Sequence, residues 1–394
     1  MKNKHRNHLR SHCLVVTALA GLLLSGVSAR SWTSADGSKT FEGELQSYDA
    51  ASGKVSVTLR SGKRMAFSQD KLSEEDIAWL KKNGGRSGGS TVDIGELPKE
   101  LPDPDGEEAD MSKPVQVYIL MGQSNMVGAG KPGNLQGIAG KKYPYLVDDA
   151  GDWTVRKDVR NVFVLCSGNA PAKDYKNEWM TISGNIGPEI GIGHHLGHVT
   201  DAPVLILKSC CGNRSLGYDL LPPSAAGYEG KDASKKGGWY AGCQYDGDVA
   251  AAKKVLENLD DYYPGAKEYE VAGFFWWQGD KDMRNATHCE QYEENLIHLI
   301  KSLRKDFDAP DARFVTASLG QTKKGSKGGD GKILDAMEAV AMSDDPELEG
   351  RVGFVYAHPL SKGGSSSGHY GGNPETYMNV GEAMGKSMVE LLRK

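Results

Sequence analysis

The chain has 394 residues, 39% hydrophobic and 25% charged; this balance excludes wholesale disorder, and the length suits two or three domains. Fifty glycines against 16 prolines, with no G-X-Y period, exclude collagen. A net charge of −5 argues against a nucleic-acid or anionic-membrane partner.

The first ten residues carry Lys2, Lys4, Arg6 and Arg10, and Leu14 to Leu24 is an apolar run. Val27, Ser28 and Ala29 put small residues before a cut after Ala29. Residues 1–29 therefore read as a signal peptide, too short in their apolar part for a span of about 20 residues, so a secreted or periplasmic protein is expected, with no integral membrane segment after signal removal. Five cysteines follow, Cys166, Cys210, Cys211, Cys243 and Cys289. An odd number leaves at least one thiol unpaired in a monomer, and one bridge at most is expected.

Residues 30–83 alternate polar and apolar side chains around Phe41, Leu45, Tyr48, Val55, Val57, Leu59, Met65 and Phe67. This is the period of short half-buried strands, with Ser52-Gly53 and Ser61-Gly62 as turns. Ser73 followed by Asp76 starts a short helix, and the unit reads as a small SH3-like β-barrel. Residues 84–113, rich in Gly and Ser and then in Pro and acid, read as a flexible linker.

From residue 114 to 394 the pattern changes to buried strand runs alternating with helices. The runs are Val115–Met121, Val162–Leu165, Val204–Leu207, Val271–Trp277, Phe314–Ala317 and Val352–Tyr356. Helical stretches cover Ile190–Val199, Val249–Tyr263, Glu290–Phe307, Ala336–Met342 and Glu375–Leu392. Continuous apolar strands suit a parallel sheet buried on both faces, so the expected fold is α/β, a three-layer doubly wound parallel sheet of the flavodoxin-like type. Its reacting groups belong at the carboxyl ends of strands.

The first of these strands runs into Gly122-Gln123-Ser124-Asn125-Met126, which puts a Ser at such an end. The motif is not G-x-S-x-G, because Met126 stands at the last Gly. It resembles the first block of the SGNH hydrolases, and more closely the sialate O-acetylesterase branch of carbohydrate esterases. Gly187-Pro188-Glu189, Trp276-Trp277-Gln278-Gly279-Asp280 and Gly368-His369-Tyr370 follow in that family's order. Residues 30–83 resemble an SLA1 homology domain 1 module on Trp32-Thr33-Ser34-Ala35-Asp36-Gly37, Lys54-Val55 and Asp70-Lys71-Leu72. That second likeness implies either a docking or sugar-binding module or a passive appendage.

The hydrolase resemblance implies a Ser-His-acid esterase that removes O-acetyl groups from a carbohydrate. Ser124 attacks and His369 is the base a weak hydroxyl nucleophile needs. Donors for the oxyanion are expected from the N–H of Ser124, the N–H of Gly187 and the amide of Gln278. The acid is open: where a D-x-x-H pattern would put Asp, this chain has Ser366. Asp280 is the favoured acid, with Asp282 two residues on; alternatively Ser366 or a carbonyl holds the ring in a dyad. His358, directly after a strand, reads as a loop histidine. Gln123, Asn125, Lys208, Arg214 and Trp277 are candidates for holding substrate, and Trp239 and Tyr240 for stacking on a sugar. The rival reading is a non-catalytic carbohydrate-binding or surface-interaction protein. No cofactor and no metal is expected. His194 and His198 share a helix face without the Glu or third ligand of a zinc site, and Gly325 to Lys332 has the wrong spacing for a phosphate loop.

Overall fold

The computed structural model describes residues 30–49, 53–59, 63–83, 92–104, 106–232 and 238–394. The signal-peptide reading and the Ser61-Gly62 turn lie outside them. The chain divides into two compact units, one ending at Ser87 and the other beginning at Gly88. No described helix is long and apolar enough to cross a membrane.

The first unit is an antiparallel meander in the order β1 (Arg30–Thr33), β2 (Thr40–Asp49), β3 (Lys54–Leu59), β4 (Arg64–Ser68). The expected barrel does not close: among the described residues β1 and β4 do not pair, and only a single bridge, Ser34 to Leu72, joins the ends. The physical reason is the helix Glu74–Asn83. It covers the open apolar face with Leu80 and Trp79, so Trp32, Val55 and Val57 are buried without sheet closure. Trp32 and Trp79 meet edge to face, and Arg30 lies over both rings while pairing with Asp76.

The second unit holds a seven-stranded sheet in the order β11-β10-β9-β5-β8-β6-β7. The strands are β5 (Val115–Gly122), β6 (Arg156–Leu165), β7 (Lys173–Met180), β8 (Val204–Ser209), β9 (Tyr269–Trp277), β10 (Arg313–Ala317) and β11 (Val352–Val355). All adjacent pairs are parallel except β6 with β7. Six of the seven are the buried runs named above. β7, Lys-Asp-Tyr-Lys-Asn-Glu-Trp-Met, has no such run because it is a solvent-facing edge strand. An antiparallel edge needs neither face buried.

Side chains alternate across the sheet, so β5 sends Val117, Ile119 and Met121 into one core and Tyr118 and Leu120 into the other. Helices Cys243–Glu257, Tyr292–Asp306 and Gly329–Ala341 cover the first core. Helices Glu189–His198 and Pro374–Leu392 cover the second. The result is three layers. The Gly329–Ala341 helix starts seven residues before the predicted one, inside the Gly-rich run from Gly325 to Lys332. Gly329 and Gly331 serve close packing: a Cβ on them would stand 2.0 Å from Met283 O and Ser326 O respectively.

Residues read as linker take part in the second unit. Val92 is buried, Gly95 N–H donates to Val199 O at 2.6 Å, and Ile94, Leu97 and Leu101 pack on the second core. All five described cysteines are free thiols. His194 and His195 are buried, with His194 against Tyr145 and His195 Nδ1 2.7 Å from Gly191 O. Burial holds both imidazoles below their ordinary range.

Candidate active site

Strand order reverses at β5: β8 and β6 lie on one side of it, β9, β10 and β11 on the other. At such a switch point the loops beyond the carboxyl ends diverge and leave a crevice. Ser124 sits there. Gly122 closes β5 at φ 146°, and a Cβ on it would stand 2.6 Å from Trp277 O, so no other residue fits this exit. Ser124–Val127 then forms one turn of helix, held by Met126 N–H and Val127 N–H to Gln123 O. Ser124 is the first residue of that turn, where N–H groups have no intrahelical acceptor. Its side chain is half-buried.

Beneath the turn lies a buried ion pair. Lys208 Nζ, at the end of β8, donates to Glu189 Oε2 at 2.6 Å and to Val127 O at 2.9 Å. Both residues are 1% exposed, so Lys208 supports the Ser124 turn from below and does not face a substrate. Gly187 N–H is turned toward Glu189 Oε1 at 3.3 Å. The residue that approaches Ser124 from the neighbouring strand is Gly212, on the loop after β8; a Cβ on it would lie 3.7 Å from Ser124 Cβ. Sequence reasoning passed over Gly212. The available signal was its place three residues beyond a buried strand, although which strand would adjoin β5 is a tertiary fact.

Gln278 is fully buried and already engaged. Its Nε2 donates to Arg214 O at 2.8 Å and to Asp282 Oδ2, and its Oε1 accepts from Tyr292 Oη at 2.8 Å. It therefore ties the loops after β8 and β9 together. Asp282, 0% exposed, accepts from Leu216 N–H and Gly217 N–H at 2.9 and 2.8 Å, a second tie between the same loops. Gln123 Oε1 faces Gly279 N–H and Lys281 N–H, each at 3.3 Å. Trp277 is fully buried, donates to Ser318 O at 3.0 Å and stacks on Tyr370. Asn125 is fully buried as well. Of the five substrate candidates, Gln123, Asn125, Lys208 and Trp277 thus form the floor of the site, and only Arg214 reaches its surface.

Arg214 is half-buried and lies over the exposed Trp239 at 4.6 Å. Its donors meet Gln244 Oε1 and Ser167 Oγ at 3.0 Å each and Asn213 O at 3.2 Å. Tyr240 is buried. Behind Gln244 stands Asp248, fully buried, accepting from Gln244 Nε2 at 2.8 Å with its Oδ2 unpartnered. Burial pushes its carboxyl up to about 8.

His369 lies in the turn Ser366–Gly372, which packs against the Ser124–Val127 helix. His369, Tyr370 and Gly371 take left-handed φ values of 51°, 51° and 61°. The imidazole is exposed, and no hydrogen bond from it reaches Ser124 or a carboxylate among the described residues. Asp280 meets its turn instead of its ring. Oδ1 accepts from Ser366 Oγ at 2.6 Å and Ser367 Oγ at 2.8 Å, and Oδ2 accepts from Arg284 Nη2 at 2.9 Å. Arg284 also donates to Ser367 Oγ at 2.9 Å. Tyr370 Oη accepts from Gly320 N–H at 3.1 Å, and Tyr377 Oη donates to His369 O at 3.3 Å. His358 is bonded to Gly320 O at 2.9 Å through Nδ1.

The sheet thus carries Ser124 at its switch point, with the His369 turn packed beside its helix. Residues 229–390 match the family described as carbohydrate esterase, sialic acid-specific acetylesterase. The match holds Gln278, Asp280 and His369, while Ser124 lies before it. Three solved structures are similar at low identity. One is a protein of Arabidopsis thaliana, 16% identical over 70% of this chain and 98% of that one, with a TM-score of 0.44. Another is a carbohydrate acetylesterase from Xanthomonas citri, 15% identical over 68% of this chain and 55% of that one, with a TM-score of 0.41. The third is NanS, 13% identical over 64% and 78%, with a TM-score of 0.34. A search of curated protein sequences gives no match.

Proposed function

We propose that the second unit is a serine esterase that removes O-acetyl groups from carbohydrates, and that the chain is exported. The observation that carries this is Ser124 at the carboxyl end of β5, with the His369 turn packed on its helix. In the reaction His369 accepts the Ser124 hydroxyl proton as Oγ adds to the acetyl carbonyl. The oxyanion is met by the N–H groups of Ser124 and Gly212. The sugar hydroxyl leaves with the proton from His369, and water then releases acetate from the acyl-enzyme by the same path. Asp280 acts on this site through Ser366 and Ser367, holding the backbone that presents His369. The first unit, with its SLA1-like motifs, serves as a docking module.

A second reading is a carbohydrate-binding protein without chemistry, favoured because no hydrogen bond joins the His369 ring to Ser124 or a carboxylate among the described residues. Acetate release from p-nitrophenyl acetate and acetylated xylan by wild type and Ser124→Ala separates the two. An active wild type and a dead variant support the esterase. Equal release by both proteins refutes it and leaves the binder.

A further inference from the structure

We propose that the loops at the carboxyl edge of the sheet form a landing surface for a carbohydrate polymer bearing repeated anionic groups, carboxylate or sulfate. This rests on the esterase reading for its substrate and adds the charge of the polymer around the ester.

Four lysines on these loops, Lys131, Lys281, Lys323 and Lys327, are exposed, and none ion-pairs with a described residue. Each is fixed near the site by its backbone or its loop. Lys131 N–H donates to Gly372 O at 3.0 Å, beside the His369 turn. Lys281 N–H faces Gln123 Oε1, one residue before Ser124. Lys323 and Lys327 follow Gln321, whose Oε1 accepts from Ser366 N–H at 3.1 Å. Arg214 adds a fifth positive group, and all of its hydrogen bonds go to neutral acceptors.

Three carboxylates of this edge are matched by cations, and the others accept from neutral donors. Asp280 meets Arg284 and two hydroxyls, and Glu375 sits between Lys142 and Lys362. Glu189 meets Lys208, Asp282 is buried against backbone N–H groups, and Asp330 accepts from Ser326 Oγ. Asp219, on the loop that carries Arg214, likewise accepts only from Ser215 and Trp239 among the described residues. Against these three carboxylates without a Lys or Arg partner stand the five cations without an acidic one, so these groups sum to a positive charge on a chain whose net charge is −5. Beyond a Debye length of about 10 Å an acidic chain offers a polyanion no attraction, so recognition falls to the local groups. They hang from the loops after β10, β9, β5 and β8, which are consecutive in the sheet. At about 4.8 Å per strand the outer two are roughly 14 Å apart, a span for several sugar units and not for one carboxylate.

The test uses the full chain with O-acetylated pectin (carboxylates), acetylated carrageenan (sulfates), acetylated glucomannan (neutral) and p-nitrophenyl acetate. Raising NaCl from about 50 to 300 mM is expected to raise KM about five- to tenfold on an anionic polymer, with KM on glucomannan unchanged. The triple variant Lys281→Gln, Lys323→Gln, Lys327→Gln is expected to show that higher KM at low salt, with kcat and p-nitrophenyl acetate turnover unaltered. Equal, salt-independent KM values on all polymers would overturn the proposal. Affinity electrophoresis in deacetylated polygalacturonate or carrageenan reads binding apart from catalysis. Retardation of wild type and not of the triple variant supports the surface, and the stronger retardant names the anion. Equal migration of both proteins in both gels overturns it. Loss of esterase activity on every substrate with retardation intact would sink the esterase reading alone.

Discussion

Replacing Asp280 by Asn separates two roles for one carboxylate. His369 and Tyr370 both stand at φ 51°, and left-handed backbone costs non-glycine residues about 1–2 kcal/mol each, roughly 2–4 kcal/mol for the pair. Two hydroxyl hydrogen bonds to a charged carboxylate, at about 1.5–3 kcal/mol each, are of the size needed to hold that turn. Their lengths, 2.6 and 2.8 Å, are those of charge-assisted bonds. Asn keeps the shape and one acceptor but loses the charge, so about 2 kcal/mol of support is removed. Spread into the position of His369, this lowers kcat by about 10- to 30-fold. The shape of the kcat–pH profile is expected to match that of wild type, because among the described residues no carboxylate hydrogen-bonds to the ring. A triad aspartate in direct contact behaves otherwise: its replacement by Asn costs about 10⁴ in kcat. The assay is kcat against pH on p-nitrophenyl acetate, with circular dichroism to show that the variant is folded. A folded variant with a loss near 10⁴ would refute the turn-holding role.

The swap Ser366→Asp with Asp280→Ser is expected to recover more activity than Ser366→Asp alone. Two carboxylates about 4 Å apart repel by about 4 kcal/mol at an effective dielectric of 20, and initial rates of the three proteins check it. Lys208→Met strands the buried Glu189 carboxylate, and a loss of about 3–5 kcal/mol in urea unfolding is expected, against near-neutral behaviour of Lys208→Met with Glu189→Leu. Asp248 has its folded pKa raised to about 8 from an ordinary 3.8, so the folded state holds a proton the unfolded state has lost. Its stability contribution is whole below about pH 4 and falls as pH rises through 8; Tm of wild type should decline over that window and Tm of Asp248→Asn should decline less. Gly122→Ala, forced to φ 146° against Trp277 O, should fail to accumulate as a stable fold or unfold at least 2 kcal/mol more easily by about the cost of such strain.

What the sequence by itself determined was the part of the protein written in local pattern. Six buried strand runs and the main helices were legible because burial on both sheet faces demands unbroken apolar stretches. The place of Ser124 at a strand's carboxyl end followed from the first run, while its role as nucleophile was read from a motif resemblance and not from position. Period-two alternation likewise marked the first unit as strands. It does not say whether a sheet closes, and the covering helix left this one open. Polar β7 had no pattern to read, since an edge strand answers to solvent. Only tertiary structure decided what each candidate side chain faces. Lys208, Gln123, Asn125 and Trp277 went to the floor, and Gln278 and Asp282 became ties between loops. Gly212 arrived beside Ser124 because β8 adjoins β5, and Asp280 met Ser366 and Ser367 across 86 and 87 residues of chain. Local sequence sets which backbone shape is cheap. Which groups share a hydrogen bond depends on strand order and loop closure, and those are settled by burying the whole core at once.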